Sequence, residues 1–303
     1  MLKRIGERAL VGSGMAARFA RRRPRRFVLA YHNILPDGTP SAGDRSLHLT
    51  RARFAAQLDL LAREARVVPL GLILAPTAPV GTDRRPLVAL TFDDAYAGAV
   101  LTGVGELAAR GLPATICVAP GFLGGRSFWW DALASGEGGL GAATRETVLA
   151  DCRGDDASAR AWAAARGHDI RDDLGPPFRC ATESELASAL EHPGISLASH
   201  TWSHPNLARL EPDDLRRELE RSREWLQRFG PRAEPVVTWP YGLHSAAARS
   251  LAAESGYQAA FRVDGGELRD GADRFALPRL NVPAGLSPEG LLLRLAGLVG
   301  GGA

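Results

Sequence analysis

Residues 87–118 read LVALTFDDAYAGAVLTGVGELAARGLPATICV. The stretch 87–91, apolar up to Leu90, has the length of a buried strand. Residues 97–110 carry helical periodicity and stop at Gly111, and 114–118 is apolar and partly β-branched again. Strand, helix and strand in that order define the unit of a parallel sheet, and the same rhythm continues on both sides. Upstream, a strand is expected at 27–31, a helix from Arg51 with Phe54, Leu58 and Leu61 on one face, a strand at 66–70 and a turn at 81–86. Downstream, Thr182 and Glu185 spell a capping box before a short helix, followed by a strand at 195–199. Pro212 opens a helix with Leu215, Leu219, Leu226 and Phe229 at helical spacing, stopped by Gly230. A strand at 236–239, a helix at 245–255 ended by Gly256, strands at 258–263 and 276–282, and a terminal helix from Ser287 and Pro288 complete the pattern. About seven or eight such units are the arithmetic of an α/β barrel. Residues 134–180, rich in Gly, Ala, Asp and Arg, hold no strand pattern and read as a helical insertion.

With 303 residues, 45% hydrophobic and 23% charged, the chain has the composition of a folded globular protein, not of a disordered tail, a fibre or a membrane bundle. Cys117, Cys152 and Cys180 are odd in number and widely spaced, so neither a disulfide framework nor a zinc ribbon is expected. No apolar run approaches the roughly 18 residues of a membrane span, and the first residues lack the core of a secretory signal, so the expected location is the cytoplasm. The charge is uneven. Residues 1–26 carry nine basic side chains against Glu7, a net of +8, which leaves −5 for the rest of a chain whose total is +3. Two readings of this basic segment stand side by side: a solvated helix packed on the outside of the fold, and a peripheral contact with an anionic membrane surface. Nucleic acid is not an expected partner. The domain reading is therefore a basic segment, 1–26, followed by one barrel, 27–303, with the insertion at 134–180.

Three polar clusters fall where expected strands end, the rim on which parallel barrels build their sites. Asp93 and Asp94 close the stretch Thr91-Phe92-Asp93-Asp94, which follows the apolar run 87–90 directly. Adjacent acids are common in turns, so the pair alone carries little. His200 and His204 follow the strand 195–199 at a spacing that lets both face one cation, with a carboxylate from another strand completing the set. The plain alternative is one histidine capping a helix and the other buried. Pro240-Tyr241-Gly242 ends the strand at 236–239, where a rigid and a permissive residue fix the backbone, either to aim a main-chain N–H at an oxyanion or only to make a tight turn.

Taken in order, Thr91-Phe92-Asp93-Asp94, then Ser199-His200-Thr201 with His204, then Pro240-Tyr241-Gly242 resemble the polysaccharide deacetylase family, the carbohydrate esterase group that includes the chitooligosaccharide deacetylases. Tyr31-His32, Pro113-Ala114-Thr115 and Phe128-Trp129-Trp130-Asp131 are similar to one bacterial branch of it. The resemblance implies a distorted, incomplete parallel (β/α) barrel of about seven strands. It implies Asp93 as catalytic base, Asp94, His200 and His204 as ligands of a divalent metal, and Tyr241 as the source of the oxyanion-binding N–H. Zinc suits these ligands, and cobalt, nickel or iron bind the same set. The implied activity is removal of an N-acyl group, acetyl in the first instance, from an N-acylated sugar or oligosaccharide.

Two departures from the family pattern stand out. Ala95 replaces the glycine that usually follows the acids, implying a backbone there that need not adopt a positive φ. The late Leu-x-His that supplies a proton to the leaving amine is absent, and Leu277-Pro278-Arg279 stands in the comparable stretch. His32, at the end of the first strand, is the expected acid, with His244 in reserve, and Arg279 is placed to orient Asp93. The sequence also admits three alternatives: a deformylase or other amide hydrolase acting on a lipid-linked sugar, a catalytically silent carbohydrate-binding protein, and a non-haem iron oxygenase using the same two histidines and one carboxylate.

Overall fold

The computed structural model describes Glu7 and residues 10–75, 83–136 and 139–299. Parts of the basic segment and of the turn expected at 81–86 lie outside these residues. Ten strands are found among those described: β1 (Arg26–Tyr31), β2 (Asn33–Leu35), β3 (His48–Thr50), β4 (Arg66–Val67), β5 (Leu87–Phe92), β6 (Ala114–Val118), β7 (Ile195–Ser199), β8 (Ala233–Thr238), β9 (Ala259–Phe261) and β10 (Leu280–Asn281). Seven of them run in the order β10-β1-β5-β6-β7-β8-β9, every pair parallel, while β4 pairs with the start of β5. A single parallel bridge, Phe261 to Leu277, links β9 to the segment that leads into β10. The strands thus curl into a distorted barrel whose last seam is barely closed.

All residues of β5 and β6 are buried, as expected for strands covered on both faces. Strand alternation sorts them. Leu29, Tyr31, Val88, Leu90, Phe92, Ile116, Val118 and Leu197 meet the surrounding helices. Val28, Ala89, Cys117, Ala198, Val236, Phe261 and Leu277 form a second cluster, with Leu70 and Ile73 packed against it. The residues on this second parity of β5 continue upward as Thr91 and then Asp93, so the pleat delivers that carboxylate to the C-terminal rim.

Several elements differ from the expected ones. The strand foreseen at 66–70 is only two residues long, because Pro69 precedes a short helix, Leu70–Leu74. The helix foreseen at 97–110 opens with a π turn, Ala99–Gly103, before the α-helix Val104–Ala108. Its glycines lie tight against the β2 segment: a Cβ on Gly98 would meet the Asn33 side chain at 2.3 Å, and one on Gly103 would sit 3.1 Å from Ile34. The strands foreseen at 258–263 and 276–282 shrink to β9 and β10, because Ala260 bonds back to Arg274 and Leu277 in an irregular ladder. The small β2–β3 ladder is additional. Within 134–180 the structure has two main helices, Ala142–Asp151 and Asp156–Ala164, the second capped by the Asp155 side chain.

The described part of the N-terminal segment includes the helix Met15–Ala20, whose Ala16 packs with Leu60, Leu292 and Leu293. Arg21 pairs with Glu64 at 2.9 Å, Arg23 sets its fork on Glu267, and Arg26 pairs with Asp270. No helix among the described residues is long and apolar enough to cross a membrane.

Candidate active site

The turn after β5 carries both acids, and it bends sharply: Asp94 has φ 68 and Ala95 φ 50. The expectation drawn from Ala95 is therefore corrected, since an alanine here does adopt a left-handed conformation. The turn is fixed from outside, by Ala181 N–H on Ala95 O and Ala97 N–H on Arg179 O, each at 2.9 Å. Such backbone is retained only where the surroundings over-determine it. All six described non-glycine residues with positive φ (Asp94, Ala95, Arg153, Thr201, His204 and Tyr241) lie in the segments that meet at this rim.

The bend aims Asp94 Oδ1 at two imidazoles, 3.4 Å from His200 Nε2 and 3.2 Å from His204 Nε2, while the two nitrogens are 3.0 Å apart. All three side chains are buried. His200 donates through Nδ1–H to Thr238 O at 2.8 Å, which leaves its Nε2 as a bare lone pair facing the cluster. Asp94 Oδ1 is buried without a hydrogen-bond partner. Three buried donors aimed at one point repel unless a cation sits among them. Their separations match the edges of a tetrahedron of zinc–ligand bonds, about 3.3–3.4 Å for bonds of about 2.0–2.1 Å. The donor set thus fits a divalent metal, with the Thr238 carbonyl as the partner that orients one imidazole.

Asp93 points into the barrel, where the fully buried Arg279 grips it through two bonds, Nη1 to Oδ1 at 2.7 Å and Nη2 to Oδ2 at 2.6 Å. Arg279 is itself held by Thr91 Oγ1 at 3.0 Å and Arg262 O at 3.1 Å. Burial pushes the Asp93 carboxyl up, but the charges of Arg279 and His200 and the bonds from Arg279 outweigh it and hold the group well below the usual carboxylate range. Burial acts the same way on Asp94, and the two imidazoles beside it, His200 and His204, outweigh it. Both acids are ionised at neutral pH.

His32 is half-buried just beyond β1. Its imidazole makes no hydrogen bond to the described residues; burial lowers its pKa, while Asp94 and Asp93 pull in the opposite direction. It therefore shares the field of the two acids. His244 is placed elsewhere, 5.5 Å from the Trp239 ring, with Arg249, Arg262 and Asp273 as its charged neighbours.

Tyr241 has φ 58, and its main-chain N–H makes no hydrogen bond to the described residues in a turn closed by Gly242 N–H on Trp239 O and Leu243 N–H on Pro240 O. Its hydroxyl accepts from Trp129 Nε1 at 2.9 Å and donates to Gly154 O at 3.0 Å, so the insertion is seated directly on the site. Gly154 is required there, because it has φ 66 and a Cβ would lie 2.7 Å from the Tyr241 ring. Asn206 completes the seam, bonding to Arg153 O through its main chain and to Leu149 O through its side chain.

An aromatic wall covers His204, whose ring centroid lies 4.8 Å from Trp130 and 4.6 Å from Tyr241. Trp130 donates to Tyr96 at 2.7 Å, Tyr96 donates to Asp131, and Asp131 is closed by His48 at 2.9 Å. This support, the seat on Gly154 and the contacts of Glu218 described below are absent from the sequence reading. Only Phe128-Trp129-Trp130-Asp131 gave a signal, as a motif without a role.

The description of the polysaccharide deacetylase family matches residues 80–260, a stretch that runs from before β5 into β9 and holds Asp93, Asp94, His200, His204 and Tyr241. The chain belongs to that family. His32 and Arg279 fall outside the matched stretch. Among individual proteins, YxkH of Bacillus subtilis (strain 168), whose name places it among polysaccharide deacetylases, is 26% identical over 106 residues. That alignment covers 35% of this chain and only 38% of YxkH. IcaB from Ammonifex degensii has a similar fold, with a TM-score of 0.63, 18% identity and coverage of 90% of this chain and 97% of that one. So does the Streptococcus pyogenes deacetylase PplD, solved with acetate, at a TM-score of 0.61, 17% identity and coverage of 89% and 98%.

Proposed function

We propose that the chain is a metal-dependent hydrolase that removes an N-acyl group, acetyl in the first instance, from an amino sugar of a glycan or glycan precursor. The observation that carries this reading is the convergence of Asp94 Oδ1 and the two Nε2 atoms within 3.4 Å of one another, beside a second, separately held carboxylate. A binding module has no use for that second acid. The chemistry a divalent ion supplies on such a site is Lewis-acid polarisation of the amide carbonyl and of water, and zinc, cobalt, nickel or iron would suit the ligands. Asp93 accepts the proton of the attacking water. Its fork on Arg279 holds the carboxylate in one orientation and keeps it ionised while it waits. The unpaired N–H of Tyr241 meets the negative oxygen that develops on the carbonyl carbon. His32 hands a proton to the departing amine, a step needed because an unprotonated amine is a poor leaving group. The Trp129, Trp130 and Tyr241 wall keeps bulk water from the histidines. Acetate bound to PplD, of similar fold, agrees with acetate as a product.

The domain division belongs to the same proposal: a catalytic barrel at 27–303 and a basic segment at 1–26 that touches an anionic membrane surface. Supporting the latter, Leu10 and Met15 are exposed on a segment that carries +8. Such a contact would suit a lipid-linked sugar, including a formamido sugar. The deciding experiment incubates metal-loaded protein with N-acetylated and N-formylated sugars, free and lipid-linked, and assays the released acid. Acetate release is the expected result, formate release alone shifts the substrate class, and no release from any member contradicts the hydrolase reading.

A further inference from the structure

The loop that carries the two histidines is held in an unusual way. Four successive main-chain N–H groups end on side-chain oxygens: Thr201 on Ser199 Oγ at 3.1 Å, Trp202 and Ser203 on Glu218 Oε2 at 2.9 and 2.8 Å, and His204 on Thr201 Oγ1 at 3.2 Å. Glu218 also accepts from the Ser203 hydroxyl through Oε1 at 2.6 Å. Both Thr201 (φ 64) and His204 (φ 58) are left-handed, and His204 precedes Pro205, a position that favours extended backbone instead. A loop so strained keeps its shape only if its surroundings dictate it.

Two of the groups that hold it come from one helix, Pro212–Gln227. Within its apolar stripe of Leu215, Leu219 and Leu226, it places Glu218 and, one turn later, Ser222, whose hydroxyl lies 2.7 Å from that of Ser199. A carboxylate accepts several bonds at once, and here its three donors all belong to the two residues between Thr201 and His204.

We infer that Glu218 is a positioning residue for the metal: it clamps the turn so that His200 and His204 present their Nε2 atoms 3.0 Å apart, without touching either imidazole. The inference rests on the metal-centre reading above and deepens it by naming what preorganises the ligands. Removing an outer partner of a metal ligand lowers metal affinity by about 10–100-fold.

The test titrates cobalt(II) into metal-free, full-length protein and follows visible absorption, with the apo-protein melting temperature as a check on folding. Glu218→Ala should bind cobalt 10–100-fold more weakly than wild type and with an altered spectrum. Glu218→Gln, which keeps one acceptor oxygen, should fall between them and serves as the deciding variant if the alanine variant does not fold. Glu220→Ala, on the same helix but paired with Arg216 at the surface, should match wild type. Wild-type affinity and spectrum in both Glu218 variants would overturn the inference, as would an equal loss in Glu220→Ala. Wild-type protein that takes up no cobalt overturns the metal-centre reading itself, a distinct result that needs no variant.

Discussion

Two arginine forks grip carboxylates at opposite ends of the first strand, and they do different work. Arg23 meets Glu267 before β1 begins, with 54% of its side chain exposed. Arg279 meets Asp93 at the C-terminal rim, with its side chain fully buried. The exposed pair ties a terminal segment to the barrel and is weakened by water and salt. The buried pair costs desolvation of both ions, and replacing it with apolar residues would be a common solution if stability were its purpose. At this rim polar groups are buried and converge on one place, while at the other end they are merely paired at the surface. Among the described residues the left-handed non-glycine ones follow the same division, gathering around Asp94, His200 and His204 and not around the Arg23 end.

This contrast can be broken experimentally, and the largest effect should come from the rim's histidines. His200→Ala or His204→Ala should lose bound metal and bring hydrolysis to background while circular dichroism stays native; metal retained in either variant would remove it from the ligand set. Asp93→Asn should keep the metal and lose about 10²–10⁴ in kcat, and near-normal turnover would assign the base elsewhere. Arg279→Ala leaves a buried carboxylate unpaired and should destabilise the fold by about 3–5 kcal/mol in denaturant titration. A value under 1 kcal/mol would show that the two forks are energetically alike. His32→Ala should lower kcat by about 10²-fold. Because a general acid works only while protonated, and burial holds this imidazole below the usual histidine range, kcat/KM should fall as pH rises through that lowered value. The variant should lack that limb, and transfer of the behaviour to His244→Ala would move the assignment. Smallest of all, Arg23→Ala should cost less than about 1 kcal/mol and leave turnover unchanged.

The same contrast explains what the sequence disclosed. Strands β6 and β7 are legible to the residue because each is a short run of mostly small and apolar residues set between turn residues. The seam at 258–282 is less legible, since Ala260 bonds out of register and the pleat is lost there. Asn33 and His48 mark β2 and β3, yet three-residue strands with polar ends leave no periodic signal. At the site, Asp94, His200 and His204 stood out because a metal centre, the role proposed for them, would restrict residue type and spacing. The left-handed turn at Ala95 did not, because it is imposed by bonds from Ala181 and Arg179, far along the chain. Glu218 was hidden for a related reason: on paper it is one polar residue of an amphipathic helix, and only the way that helix lies against the 201–204 loop gives it three donors to hold.

Whether Asp94, His200 and His204 form a metal centre is tested most directly by counting metal. Metal-free wild-type protein equilibrated with zinc and freed of excess should retain one ion per chain by elemental analysis, and Asp94→Ala, tested alongside and shown to be folded, should retain none. Wild-type protein that holds no zinc, or an Asp94→Ala variant that holds as much as wild type, would contradict the account.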